Sequence, residues 1–227
     1  MGTGYWIIFG VIALASWLVQ SSLQRKFKQY SKVALPSRMT GADVARKMLR
    51  DNGITDVDVV MTPGHLSDHY NPATKKVNLS ESVYGNYSIA AAAVAAHECG
   101  HAVQHATQYA PLKMRSALVP MVSFASQWMH WLLLAGMIFF ASFPQLLLIG
   151  IILFASTTLF SFITLPVEIN ASTRAVSWLR NAGITNDQTT TMAESALRSA
   201  AYTYVVAALG SLATLLYYVF IFLGRRD

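Results

Sequence analysis

A single cysteine, Cys99, stands among 227 residues, which excludes an internal disulfide framework and any zinc cluster built from several thiolates. Charge is also scarce. Only 12% of the residues are Asp, Glu, Lys or Arg, and no charged residue occurs between Ser116 and Val167. With a mean hydropathy of +0.40, that scarcity argues against an ordinary soluble domain and for a membrane protein. Glutamate is rarer still, confined to Glu81, Glu98, Glu168 and Glu194. A site that combines carboxylate with imidazole therefore has few members to choose from. The net charge of +6 is not accompanied by basic residues interleaved with aromatics on a nucleic-acid module, so no nucleic-acid partner is expected. Basic clusters beside apolar segments report orientation toward the cytoplasm and contact with a bilayer, anionic lipids included.

Four apolar stretches are long enough to cross a membrane, at about residues 4–20, 118–140, 145–165 and 202–223. The first is not a cleaved signal peptide in pattern, because Met1 to Gly4 carries no charge and Arg25, Lys26, Lys28 and Lys32 all follow the apolar run. It reads as an anchor with its N-terminus outside. The second and third are joined by a short uncharged turn at Ser142-Phe143-Pro144 and form a helical hairpin. Four spans place the polar segments 21–115 and 166–201 on one side. That side holds 15 of the 17 Lys and Arg residues, and only Arg225 and Arg226 fall opposite. The positive-inside rule then assigns both polar segments to the cytoplasm.

Within the first polar segment, Thr40 reads as an N-cap followed by Asp43 in the first turn, with Val44, Met48 and Leu49 at helical spacing and Gly53 as the stop. Residues 57–61 read as a strand. Residues 66–79 read as a hairpin turning at Asn71-Pro72-Ala73-Thr74. The Ala-rich segment 89–107 reads as a second helix.

That second helix carries the chemistry. His97-Glu98-Cys99-Gly100-His101 matches H-E-x-x-H. Residues four apart are separated by about 400° and about 6 Å along the axis, so both imidazoles leave one face and can occupy two corners of one tetrahedral zinc ion. Glu98 is rotated by about 100° from His97, beside the metal and placed to act as a general base. Two buried histidines on a core helix would be a costly alternative without a ligand. His105 lies about 12 Å from His97 along a straight helix, too far to share the ion, and belongs at the cleft edge. A metzincin-like third histidine would fall at Thr107. The third ligand is therefore a distant carboxylate. Glu168 is the leading candidate because it follows directly on the third span, and Ala171 and Ala175 on its face allow close helix approach. Glu194 is the alternative.

The segment HECGHAVQHA, the stretch Leu66-Ser67-Asp68-His69-Tyr70-Asn71-Pro72 and the run Leu165-Pro166-Val167-Glu168-Ile169-Asn170-Ala171-Ser172 together resemble the YugP-type membrane zinc metallopeptidases of bacteria. The resemblance spans nearly the whole chain. It implies neutral zinc peptidase activity with His97, His101 and Glu168 as ligands of one zinc ion and Glu98 as base. The layout is more distantly similar to heat-shock membrane proteases of the HtpX type. Related glutamate-ligand peptidases carry an Asp four residues after the ligand to orient a histidine. Here that position is Ser172, which leaves Asn170 or Asp68 as substitutes.

Several further residues carry expectations. His69 and Tyr70 are placed to polarise a scissile carbonyl, His105 and Arg174 to contact substrate, and the hairpin edge to receive an extended peptide. Cys99 reads as a small packing residue, and His130 as the source of an interhelical hydrogen bond. The expected molecule is a mainly α membrane protein, a single domain over 1–227, with four transmembrane helices and a small α+β cytoplasmic zinc-peptidase region. It would be a multi-pass protein of the bacterial cell membrane that cleaves membrane-proximal or unfolded proteins. The alternative is a non-catalytic zinc-binding membrane scaffold.

Overall fold

Thr40 shows how locally these elements are specified. Its hydroxyl accepts the Asp43 amide at 3.2 Å while the Asp43 carboxylate accepts the Thr40 amide at 3.1 Å, a reciprocal cap that satisfies donors a helix start leaves open. The helix it opens ends at Asp51, where Asn52 caps it and Gly53 adopts φ +69°, a left-handed turn suited to glycine. The computed structural model describes residues 3–64 and 66–224. In chain order it contains α1 (Thr3–Tyr30), α2 (Gly41–Asp51), β1 (Asp58–Thr62), β2 (His69–Asn71), β3 (Lys76–Ser80), α3 (Glu81–Tyr84), α4 (Ile89–Ala106), α5 (Ala110–Ile138), α6 (Pro144–Asn181) and α7 (Asp187–Gly224). The chain is mostly helical, and α1, α5, α6 and α7 are each long and apolar enough to cross a membrane.

The described chain divides into two compact units. One comprises residues up to Leu18, Lys113–Leu165 and the chain from Thr203 onward. Its helices expose Trp17, Phe124, Trp131 and Phe220, the surface that lipid solvates. Gly136 lets α5 and α6 meet, since a Cβ there would lie 2.4 Å from the Leu147 backbone. Leu133, Leu147 and Ile151 are buried at that contact. His130 faces outward on α5, so the expected hydrogen bond to a neighbouring helix of the same chain is not made.

The other unit comprises Val19–Leu112 and Pro166–Tyr202. Its sheet has the order β1-β3-β2, with β1 parallel and β2 antiparallel to β3. The β2–β3 turn is built by Asn71, whose side-chain oxygen accepts the amides of Ala73 and Thr74. The apolar face of α2 packs on α4. Val44, Ala45, Met48 and Leu49 are buried there with Val77, Leu79 and the alanines of α4. Cys99 belongs to the same core at 0% exposure, and burial pushes its thiol pKa up.

The helices outrun the apolar windows expected from the sequence. α1 continues through Arg25, Lys26 and Lys28, and α7 begins at Asp187 instead of near Tyr202. Lys, Arg and Gln are good helix formers, so hydropathy locates a span but not a helix end. α6 runs unbroken through Pro166, which removes one intrahelical bond while its ring is exposed. Asn186 and Thr189 form a reciprocal cap at the start of α7. Arg225 and Arg226, and the N-terminal Met1 and Gly2, lie outside the described residues.

Candidate metal centre

His97, Glu98 and His101 lie on α4, and Gly100 stands between the two histidines. A Cβ at Gly100 would sit 2.6 Å from the Ala171 carbonyl oxygen, so glycine here permits the close approach of α4 to α6. Ala171 and Ala175 on the facing helix are fully buried. This contact delivers Glu168, one turn before Ala171, to the histidines.

The geometry is tight. Glu168 Oε2 lies 3.3 Å from His97 Nε2 and 3.6 Å from His101 Nε2. The two imidazole rings are 4.8 Å apart at their centroids. All three side chains are largely shielded, with Glu168 only 4% exposed. Glu194 is not part of this group.

Each imidazole is held from behind. His101 Nδ1 lies 3.0 Å from Gln104 Oε1, and the amide nitrogen of Gln104 donates to the Val167 carbonyl at 2.8 Å and to Asn170 Oδ1 at 3.0 Å. The Val167 carbonyl can only accept, which fixes the orientation of the Gln104 amide. Its oxygen must then accept from His101 Nδ1–H, leaving the Nε2 lone pair directed at the site. Arg174 Nε donates to the same Asn170 oxygen at 2.8 Å, so Arg174 closes a chain of hydrogen bonds that ends on His101. His97 Nδ1 lies 3.1 Å from Ser172 Oγ. The hydroxyl at position 172 thus occupies the orienting place that the sequence pattern had left in doubt. Asn170 contributes through Gln104. Asp68 does not take part, since it accepts the Ser80 amide and hydroxyl at the edge of the sheet.

Gln104 is the residue that sequence reasoning missed. It stands one turn beyond His101, and only its complete burial, which the sequence does not display, marks it out.

Glu98 projects beside the three donors, and its Oε2 accepts the backbone amide of Tyr70 at 3.1 Å. Tyr70 reaches the site from β2, and its hydroxyl pairs with His105 Nδ1 at 2.9 Å. Burial, reinforced by the charge of Asp56, raises the pKa of Tyr70, so the phenol stays protonated at neutral pH. His105 is exposed and stands outside the group of three. His69, one residue before Tyr70, has Nδ1 2.7 Å from the Ser67 carbonyl and Nε2 3.2 Å from the Asn78 side-chain nitrogen. Both its ring nitrogens are therefore engaged away from the three donors.

Burial pulls the pKa of His101 down, but hydrogen bonding to Glu168 and the charges of Glu98 and Glu168 outweigh it and leave the value raised. The site thus favours positive charge at this point. Two imidazole nitrogens and a buried carboxylate oxygen, all within 4.8 Å of one another, form a donor set suited to zinc, whose N and O ligands bind at about 2.0–2.2 Å.

The description "Putative neutral zinc metallopeptidase" names the family that matches residues 5–223. The chain belongs to this zinc metallopeptidase family. A member from Bacillus subtilis (strain 168), described as "Putative membrane protease YugP", is 42% identical over 221 residues, covering 97% of each chain. No solved structure matches the chain. The family's cofactor is zinc, and the residues here that can hold it are His97, His101 and Glu168.

Proposed function

We propose that this family member is a membrane-embedded zinc-dependent endopeptidase in which His97, His101 and Glu168 hold one zinc ion and Glu98 is the general base. The observation that carries the reading is the pairing of a three-donor cluster with an adjacent carboxylate that is not part of it. When bound, zinc supplies Lewis acidity toward a scissile carbonyl and makes water more acidic. Glu98 takes the proton of the attacking water and passes it to the departing amine. The Tyr70 amide holds one Glu98 oxygen at 3.1 Å, which leaves the other for the water. Ser172 and Gln104 present the Nε2 atoms of His97 and His101. The Tyr70 hydroxyl, paired with His105, is placed to hydrogen-bond a substrate carbonyl, and the β2 edge to receive an extended peptide.

The basic residues of 21–115 and 166–201 support a cytoplasmic position for this site. Its substrates are membrane-proximal or unfolded proteins, because the centre cannot leave the bilayer that anchors it. Arg25, Lys28 and Lys32, following the first apolar run, suit anionic lipid headgroups.

Purified Glu98→Gln protein is expected to retain zinc by elemental analysis and to lose at least about a hundredfold of its cleavage of casein in detergent, the scale of general-base removal. Glu168→Ala is expected to lose the metal. Undiminished turnover by Glu98→Gln would remove Glu98 as the base, and absence of cleavage by the zinc-loaded wild type would return the protein to the class of non-catalytic zinc scaffolds.

A further inference from the structure

Helix α5 carries a polar stripe on the face that points away from its own bundle. Ser116, Ser123 and His130 recur at intervals of seven residues, as do Pro120, Gln127 and Leu134. At about 100° per residue the six fall within an arc of about 80°, and the fully buried Ala125 lies about 180° from Ser116. Every residue of the stripe is exposed.

Exposure of such groups on a membrane helix is costly, because lipid offers no hydrogen bonds. Several other membrane-helix hydroxyls avoid that cost internally, whereas Thr158 Oγ1 on α6 is buried without a partner among the described residues. Thr157, Ser161 and Thr164 on α6, and Ser211 and Thr214 on α7, each donate to a carbonyl of their own helix. Ser123, Gln127 and His130 make no side-chain hydrogen bond among the described residues. Pro120 adds to the demand, since it has no amide to offer the Ser116 carbonyl.

We propose that this stripe is the contact between two copies of the chain, paired through α5 as parallel helices. Three features select a second copy as the occupant. The stripe is uncharged, and no Asp, Glu, Lys or Arg lies between Ser116 and Val167, so like faces do not repel and a charged helix finds no counter-ion. Serine, glutamine and neutral histidine each both donate and accept, so each can pair with its own counterpart. Copies of one chain share a membrane orientation, so a twofold axis along the membrane normal brings α5 beside α5 in parallel. The seven-residue repeat then sets Ser123, Gln127 and His130 each against itself in a left-handed pair.

The test is oxidative cross-linking of the full-length chain in native membranes. Ser123→Cys and Gln127→Cys are expected to give disulfide-linked homodimers. Phe124→Cys and Trp128→Cys, exposed but off the stripe, and the wild type, whose Cys99 is buried, are expected to stay monomeric. Equal cross-linking at 123 and 124, or adducts whose mass is not that of two chains, would overturn the proposal. A second measurement does not depend on any substitution in the stripe. Wild-type protein labelled with one dye per chain and diluted into liposomes is expected to bleach in two steps, and uniform single-step bleaching overturns the pairing. Gln127→Leu is expected to weaken the dimer by about threefold to tenfold, and an unchanged bleaching distribution removes Gln127 from the contact.

Discussion

Two side chains behind the ligands, Ser172 and Gln104, decide how well His97 and His101 present themselves. Gln104 does the more specific job, because one amide fixes the tautomer of His101 while tying it to the Val167 carbonyl and Asn170. Gln104→Leu keeps the volume but removes these bonds, and is expected to lower zinc affinity by about 10-fold to 100-fold, read by competition with a chromophoric chelator. The same site sets a pH dependence. The raised pKa of His101 means that the metal-free fold gains stability from protonated His101 below the ordinary imidazole value, and loses it as pH rises through the folded-state value. Zinc requires the neutral ring and competes with that proton. Apparent zinc affinity should therefore still be climbing above pH about 6.5. A plateau reached below that pH would contradict the assignment. That His97 and His101 share one helix face was legible from spacing alone, because four residues make just over one helical turn, whereas Glu168 was reached through its place after the third span. Gln104 was not legible, since nothing local distinguishes a buried glutamine from one facing solvent.

α4 and α6 meet through an absence of atoms. Gly100 faces the Ala171 carbonyl at a distance a methyl group cannot share, and Glu168 sits on the same stretch of α6. Gly100→Ala keeps the side chains of His97, Glu98, His101 and Glu168, yet should push the helices apart, cost about 1–3 kcal/mol and reduce zinc occupancy. Elemental analysis beside a denaturant titration checks both, and full occupancy with unchanged stability would show that the contact is not needed. The cap at Thr40 and the turn at Asn71 were legible because each acts through neighbours in the chain, and the close approach at Ala171 and Ala175 because both side chains are small. The parallel pairing of β1 with β3 was not foretold, since it joins segments whose register depends on packing against α2 and α4. The continuity of α6 through Pro166 escaped for a related reason: proline weakens one backbone bond, and a long helix can lose one.

Across the whole chain, four helices are long and apolar enough to cross a membrane, and the proposed topology, which rests on the bias of basic residues toward two segments, puts the hairpin turn of β2 and β3 in the cytoplasm. Thr74→Cys, in that turn, should react with a membrane-impermeant maleimide only after the membrane is opened. Labelling in intact cells would invert the orientation and place the metal centre outside. The spans were readable because eighteen or more apolar residues have few other uses. Which faces of those helices meet one another was not, because lipid and protein interior are equally apolar and leave the same trace in composition.

The hydrogen bond from the Tyr70 amide to Glu98 has a consequence for how the protein can vary. A main-chain donor survives every change of side chain but one. As far as Glu98 is concerned, position 70 can drift through the whole repertoire and still aim that carboxylate, and proline alone would silence it, because only proline arrives without a hydrogen to give.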